Sequence, residues 1–268
     1  MIATLFKSAR RKPVPAPASV PKGERVYAIG DVHGCNDLLT DLMARIDADD
    51  AKRGTAQTSI VFLGDLVDRG PDSAGVIETA MRLKAEGRRV RFLAGNHEEV
   101  FVKAASGDEK STRFFVRMGG RETILSYPID AYDYDTLEYG DLAERLKTLI
   151  PRDHVEFVES FEDMVEIGDY VFVHAGIRPG RALDAQRKSD LRWIRDEFLD
   201  DERDHGKVVI HGHTICEEVD HYDNRIGIDT GAYATGRLTA IGLEGTRRWF
   251  LATEGEAHPE YRGAGTRG

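Results

Sequence analysis

Three short apolar stretches of the sequence are each followed by a glycine and then by side chains that commonly bind metals. The stretches are residues 25–29, 59–63 and 90–94, and the side chains that follow them are Asp31 and His33, then Asp65, then Asn96. Short apolar runs bounded by glycine are typical of buried strands. The carboxyl ends of parallel strands meet at one edge of a sheet, where open α/β sheets bind their ligands. We therefore expect these side chains to lie together.

Two later apolar stretches end in the same way. Residues 171–173 lead into His174, and residues 208–210 lead into His211, Gly212 and His213. The spacing alone leaves open whether His211 or His213 faces the site. Carboxylate, imidazole and amide groups suit divalent first-row metals better than metals that prefer thiolates. The set is too large for one tetrahedral zinc, and it suits two adjacent ions that share a carboxylate.

The segments between these stretches are those that a parallel sheet requires. Apolar residues recur at helical spacing over 38–46 and 76–81, after the first and second predicted strands. Strands that alternate with helices indicate βαβ units with right-handed crossovers. Residues 163–167 and 170–173 predict a hairpin, and further short strands are predicted at 207–210, 225–228, 238–243 and 248–251. The chain is thus of the α/β class, with a second half richer in β structure.

One domain, residues 23–253, is predicted between two flexible tails. Residues 1–22 are basic and proline-rich, and residues 254–268 are rich in glycine and charge. Residues 106–150 are polar and tyrosine-rich, with an acidic cluster before a predicted helix at 142–149, and we interpret them as a helical insertion over the site. The pattern leaves open whether this insertion contacts the site or is only solvated.

Composition excludes several classes of protein. The formal net charge of −10 over 268 residues argues against a constitutive nucleic-acid binder, because such binding depends on Lys and Arg at phosphates. Two cysteines are too few for a disulfide framework and suit a reducing cytosol, so a cytoplasmic location is expected. No apolar run approaches the roughly 20 residues of a membrane-spanning helix. The sequence does not indicate an oligomeric state.

In chain order, these motifs resemble those of the calcineurin-like metallophosphoesterases, and within them the bacterial and bacteriophage-lambda branch of the phosphoprotein phosphatases. The resemblance extends over roughly residues 24–251, and the segments that carry it are 30–34, 64–70, 95–98, 174–176 and 212–214, with further matches at 191–195 and 228–232. It implies the fold of that family, in which two mixed β-sheets pack between helices.

The resemblance also implies two metal ions that share Asp65. One ion would be held by Asp31, His33 and Asp65, and the other by Asp65, Asn96, His174 and His213. His211 would then support the site without binding a metal. The implied ions are manganese, with iron or zinc as alternatives. Two such ions can activate one water to hydroxide for attack on phosphorus.

The same resemblance assigns five residues to binding the substrate and releasing its leaving group. Arg69 and Arg195 would bind phosphoryl oxygens through their planar guanidinium groups, and Asn96 would also contact substrate. For Arg195 the alternative is a surface ion pair with a neighbouring carboxylate. His97 would act as general acid, oriented by Asp68.

The leading interpretation is a phosphoprotein phosphatase that acts on phosphoserine and phosphothreonine, with phosphotyrosine as a further substrate. The alternative is a symmetrical diadenosine tetraphosphate hydrolase or another nucleotide phosphoesterase with the same metal site. A dinucleotide enzyme needs aromatic stacking and basic residues near the phosphates. The net acidic residues 130–141 favour the phosphoprotein instead. A non-catalytic scaffold is disfavoured, because every expected ligand is present.

Overall fold

The computed structural model describes residues 17–255. Its strands are β1 (Glu24–Ile29), β2 (Gln57–Phe62), β3 (Val90–Phe92), β4 (Met164–Ile167), β5 (Tyr170–Val173), β6 (Val208–His211), β7 (Asp220–His221), β8 (Arg225–Gly227), β9 (Thr239–Glu244) and β10 (Arg247–Ala252). Its α-helices are α1 (Asn36–Arg53), α2 (Ser73–Ala85), α3 (Asn96–Ala105), α4 (Glu109–Phe115), α5 (Arg121–Leu125), α6 (Ala131–Thr136), α7 (Tyr139–Leu149), α8 (Arg152–Glu159), α9 (Lys188–Trp193), α10 (Asp196–Leu199) and α11 (Ala232–Thr235). A π-helical segment, Val116–Gly120, joins α4 to α5.

The strands form two mixed five-stranded sheets. The first has the order β10-β9-β1-β2-β3, in which β1, β2 and β3 are parallel. The second has the order β4-β5-β6-β8-β7, in which β5, β6 and β8 are parallel. The predicted βαβ units and the predicted hairpin, which is β4–β5, are both confirmed.

Alternating residues of the strands pack on different layers. In β1, Val26 and Ala28 face an apolar cluster shared with Phe172 and Ile210 of the second sheet, whereas Tyr27 packs in the cluster formed with α1 and α2. A third cluster covers the outer face of the second sheet with residues of α9 and α10. The predicted architecture of two mixed sheets between helices is confirmed.

The first predicted tail overlaps the folded part of the chain. Val20 is 3% exposed, its N–H donates to the carbonyl of Gly245, and Ser19 donates to Asp169. The basic, proline-rich composition predicts a tail up to residue 22, but the buried Val20 and these polar contacts hold residues 17–22 against the sheets. Residues 1–16 and 256–268 lie outside the described residues.

The insertion at 106–150 contains four α-helices and the π-helical segment, and it includes the predicted helix as part of α7. Within residues 17–255, no helix combines the length and apolar character needed to span a bilayer.

Candidate metal and phosphate site

The predicted ligand residues lie at the carboxyl ends of strands from both sheets. Asp31 follows β1, Asp65 follows β2, Asn96 begins α3 just after β3, His174 follows β5 and His213 follows β6. All are buried, with His213 the most exposed at 7%. Residues from five separate stretches of sequence therefore converge in the interior.

Asp65 stands at the centre of this cluster. Its Oδ2 lies 3.4 Å from Nε2 of His174, 3.7 Å from Nε2 of His33 and 3.9 Å from Nε2 of His97. Burial raises the pKa of Asp65, but the imidazoles of His174 and His97 outweigh burial and hold the pKa well below its usual range. An ionised carboxylate surrounded by imidazoles is suited to the role of a shared ligand.

Asn96 and His213 complete the far side of the cluster. The Nε2 atom of His174 lies 3.0 Å from Oδ1 of Asn96 and 3.1 Å from Nδ1 of His213. The Nδ1 atom of His174 lies 2.9 Å from the Leu63 carbonyl, which orients the ring. A histidine whose Nδ1–H donates to a carbonyl keeps the Nε2 lone pair for a metal.

Two groups of side chains have the spacing of metal ligands. Their ligand atoms lie within 4.8 Å of one another, and the groups are His33, Asp65 and His97, and Asp65, His174 and His213. The first group contains His97 where the sequence predicts Asp31. Asp31 instead lies against the backbone of the loop that holds His213.

Asp31 nevertheless gives the clearest sign that the cluster fits a cation. Its Oδ2 accepts a hydrogen bond of 3.0 Å from the N–H of His213, whereas its Oδ1 is buried without a partner. Burial and the carboxylates of Asp229 and Asp65 raise the pKa of Asp31 well above its usual range. A buried oxygen without a partner carries a free-energy cost that a bound cation would remove. The residues present therefore fit divalent metals.

The loops of this site are held in a strained backbone conformation. Among residues 17–255, the non-glycine residues with positive φ are His33, Asp65, Asp68, Arg69 and His213, with φ of 45°, 48°, 75°, 69° and 64°. Such angles are costly for residues with a Cβ, and they persist where the surroundings impose them, commonly at functional sites.

Glycine precedes the ligands because the loops pack too closely for a side chain. A Cβ at Gly95 would lie 2.1 Å from Oδ1 of Asp65, and one at Gly212 would lie 2.0 Å from Oδ1 of Asp31. Alanine at either position would displace a carboxylate of the cluster.

Two buried acids of the site, Glu98 and Asp229, are not among the site residues that the sequence predicts. Glu98 accepts hydrogen bonds from the N–H groups of Asp65, Leu66 and Gly95 at 2.7–2.8 Å. Its position three residues after the N-cap of α3 matches a capping box, a signal that predicts the bond to Gly95 but not the other two. Burial raises the pKa of Asp229, which lies near Asp31, to about 6.

His97 and Asp68, the predicted acid and its orienting group, are in contact. Nδ1 of His97 lies 2.6 Å from Oδ2 of Asp68, and both side chains are at most 1% exposed. Burial lowers the pKa of His97, but the carboxylates of Asp65 and Asp68 outweigh burial and raise it. The other ring nitrogen, Nε2, lies 3.3 Å from Nη2 of Arg69, so it faces the predicted phosphate site.

The insertion contacts this site, which answers the question that the sequence left open. The Gly119 carbonyl accepts a hydrogen bond of 2.9 Å from the N–H of Arg69. Thr123 of α5 donates to Oδ1 of Asp68 at 2.7 Å and accepts from the N–H of Asp68 at 2.8 Å. The insertion therefore supports both Arg69 and Asp68.

Each of the two predicted phosphate-binding arginines contacts a residue near a predicted ligand. Nη1 of Arg69 donates to the hydroxyl of Tyr233 at 2.9 Å. Nη1 of Arg195 donates to Oγ1 of Thr214 at 3.4 Å, next to His213, whereas neighbouring Glu197 accepts from Arg178. Arg195 is thus directed toward the cluster.

His211 is buried but lies outside the cluster of ligand atoms. Its Nδ1 is 3.1 Å from the carbonyl of Gly212, and its ring packs edge-on against Phe198. This placement agrees with a supporting role. Burial lowers the pKa of His211 to about 4.

A model of a known protein family matches most of this chain. The model of the family described as calcineurin-like phosphoesterase matches residues 24–237. An asymmetrical bis(5'-nucleosyl)-tetraphosphatase from Anoxybacillus flavithermus is 26% identical over 235 residues, which cover 80% of this chain and 88% of that protein. A symmetrical bis(5'-nucleosyl)-tetraphosphatase from Delftia acidovorans is 39% identical over 112 residues, which cover 42% of this chain and 34% of that protein.

Solved structures share the fold at lower identity. A protein provisionally described as a diadenosine tetraphosphatase superposes with a TM-score of 0.59 at 22% identity, covering 88% of this chain and 98% of that one. A serine/threonine phosphatase from Saccharomyces cerevisiae superposes with a TM-score of 0.52 at 15% identity, covering 91% of this chain and 86% of that one. These structures support the architecture alone.

Proposed function

The chain belongs to the family of calcineurin-like phosphoesterases, and on that premise we propose that it hydrolyses dinucleoside polyphosphates of the bis(5'-nucleosyl) tetraphosphate type. The observation that carries the proposal is the match, over 80% of this chain and 88% of the relative, to a protein with that name. This substrate class corresponds to the alternative interpretation of the sequence. The phosphoprotein interpretation rests on the motif resemblance.

We propose that the buried cluster holds two divalent ions, with manganese as the first metal to test. Asp31, His33 and Asp65 would hold one ion, and Asp65, Asn96, His174 and His213 the other. When bound, the ions would supply a nucleophilic water near neutral pH and positive charge opposite the phosphate oxygens.

The remaining residues of the site are proposed to bind the phosphate chain and to release the leaving group. Arg69 and Arg195 flank the cluster, and each can bind phosphate oxygens through two parallel hydrogen bonds. Asn96, the first residue of α3 and a member of the cluster, is proposed to contact the same oxygens. His97, held by Asp68 through Nδ1, would donate the Nε2 proton to the leaving oxygen.

The test compares two substrates under the same conditions. Protein loaded with manganese is given diadenosine tetraphosphate or a phosphothreonine peptide, and phosphate or nucleotide release is measured. We expect the dinucleotide to be cleaved with the higher kcat/KM. Asp65→Asn should abolish the activity, while Asp184→Asn, which alters an exposed carboxylate outside the site, should preserve it. Faster turnover of the peptide would overturn the proposed substrate class and reinstate the phosphoprotein interpretation.

A further inference from the structure

Two exposed aromatic rings stack on each other beside the site. Phe114 of α4 is 38% exposed and Trp193 of α9 is 37% exposed, and their ring centroids are 6.2 Å apart with an interplanar angle of 27°. The indole N–H of Trp193 lies 3.2 Å from Oε2 of Glu99, which fixes the ring. Exposed apolar surface of this kind can mark a ligand-binding site.

Each ring belongs to a segment that either contains or contacts an arginine of the proposed phosphate site. Phe114 comes just before the π-helical segment, whose Gly119 carbonyl holds the backbone of Arg69. Trp193 comes two residues before Arg195, whose guanidinium contacts Thr214 beside His213. The pair therefore joins two segments that contact the proposed phosphate site, the insertion and the segment after β5.

An exposed arginine lies close to one of the two rings. The guanidinium carbon of Arg117, an exposed residue, lies 5.9 Å from the centroid of Phe114. A ring face, a nearby guanidinium and an adjacent phosphate site are the combination that binds nucleotides through stacking and charge together.

We infer that Phe114 and Trp193 form the subsite for one nucleobase of the substrate, an inference that rests on the proposed function. A nucleoside joins its base to the first phosphate through a single ribose. In this arrangement, a base whose phosphate chain lies between Arg69 and Arg195 would stack on the exposed rings. Stacking is tolerant of base identity, so this subsite favours nucleotides over inorganic phosphates and discriminates weakly among bases.

A protein partner is the competing occupant of these rings. Stable protein interfaces bury about 1,200–2,000 Å² in total, far more than two half-exposed rings offer. A single flat heterocycle matches the area that the pair presents. The nucleobase is therefore the favoured ligand.

Binding is tested through the fluorescence of Trp193. Wild-type protein is titrated with a methylene-bridged, non-hydrolysable analogue of diadenosine tetraphosphate, and separately with inorganic tripolyphosphate. We expect saturable quenching by the nucleotide only, and its loss in Trp193→Phe, in which Trp249 remains as the other tryptophan. By calorimetry, Phe114→Leu and Trp193→Leu should each weaken binding of the analogue about tenfold. Phe250→Leu, a change of an exposed phenylalanine on β10, serves as the matched control.

The outcomes separate the subsite from the proposed function. Dinucleotide hydrolysis by wild-type protein without a change in analogue affinity in Phe114→Leu and Trp193→Leu would overturn the subsite and leave the function intact. Nucleotide-specific quenching by a protein that fails to cleave the dinucleotide would support the subsite and overturn the function. Equal binding of nucleotide and tripolyphosphate would show that the rings do not contact a base.

Discussion

Oε2 of Glu98 accepts a hydrogen bond of 2.8 Å from the backbone N–H of Asp65. The same carboxylate also binds the N–H groups of Leu66 and Gly95, so it ties the loop after β2 to the start of α3. Asp65 has φ of 48°, and these bonds help to hold it there. The position of the central ligand thus depends on a buried acid that lies outside both groups of ligand atoms.

Glu98→Gln should therefore loosen the cluster. A glutamine amide replaces one acceptor oxygen with a donor, which leaves at least one buried N–H without a partner. We expect a loss of about 1–3 kcal/mol in the free energy of unfolding and less manganese bound per chain. Urea unfolding and metal analysis measure the two effects, with the exposed Glu144→Gln as control. An unchanged unfolding midpoint would contradict this role of Glu98.

Thr123 extends the support of the site into the insertion. Its hydroxyl both donates to and accepts from Asp68, so Thr123→Val removes the donor to Oδ1 of that buried carboxylate and one of the two acceptors of its N–H, the other being Oγ of Ser73 at 3.0 Å. We expect a loss of about 1–3 kcal/mol in stability and a lower kcat, with Thr123→Ser restoring both. The matched control is Thr148→Val, on the exposed face of α7. A valine variant with wild-type kcat would show that the insertion does not position Asp68.

The sequence predicts the site residues that a local pattern places, but not the contacts between segments that lie far apart in the chain. Asp31, Asp65 and His174 each lie within three residues of the end of an apolar strand, so local pattern and the rule that parallel strands end at one edge suffice to group them. Thr123 lies 55 positions from Asp68, and Trp193 lies far from Phe114 in the chain. Nothing local in either segment signals these contacts, because they depend on how the insertion packs.

His97 is expected to protonate the leaving group. The loss of kcat in His97→Asn should therefore depend on the basicity of the leaving group. Phenyl phosphate releases a more basic oxygen than p-nitrophenyl phosphate and therefore needs a proton more. His97→Asn should lower kcat on phenyl phosphate about 10²–10⁴-fold and should lower it much less on p-nitrophenyl phosphate. The control is His221→Asn, at an exposed position. Equal losses on both substrates would assign His97 to support of the cluster.

His154 links stability to pH at a distance from the cluster. It is 6% exposed, its Nδ1 lies 3.0 Å from the hydroxyl of Tyr127, and burial lowers its pKa. The unfolded chain, with a histidine pKa of about 6.5, then binds the proton first as the pH falls. Stability from neutral His154 is therefore present above about pH 6.5 and is lost below it. In urea unfolding, the free energy of unfolding of wild type should exceed that of His154→Gln by less at pH 5 than at pH 7.5. A difference that stays constant with pH would contradict this dependence of stability on neutral His154.

Asp31→Asn should have opposite effects on stability in the presence and in the absence of metal. Its carboxylate lies among Asp65 and Asp229, so in protein treated with a chelator the neutral Asp31→Asn relieves repulsion while its Oδ1 still accepts from the N–H of His213. The chelated variant should be at least as stable as wild type. With manganese at 100 times its Kd, wild type should gain about 2.7 kcal/mol, and the variant should gain much less because it has lost a charged ligand. Thermal unfolding of both proteins, with chelator and with manganese, should thus reverse their order of stability. An equal gain in both proteins would exclude Asp31 as a ligand.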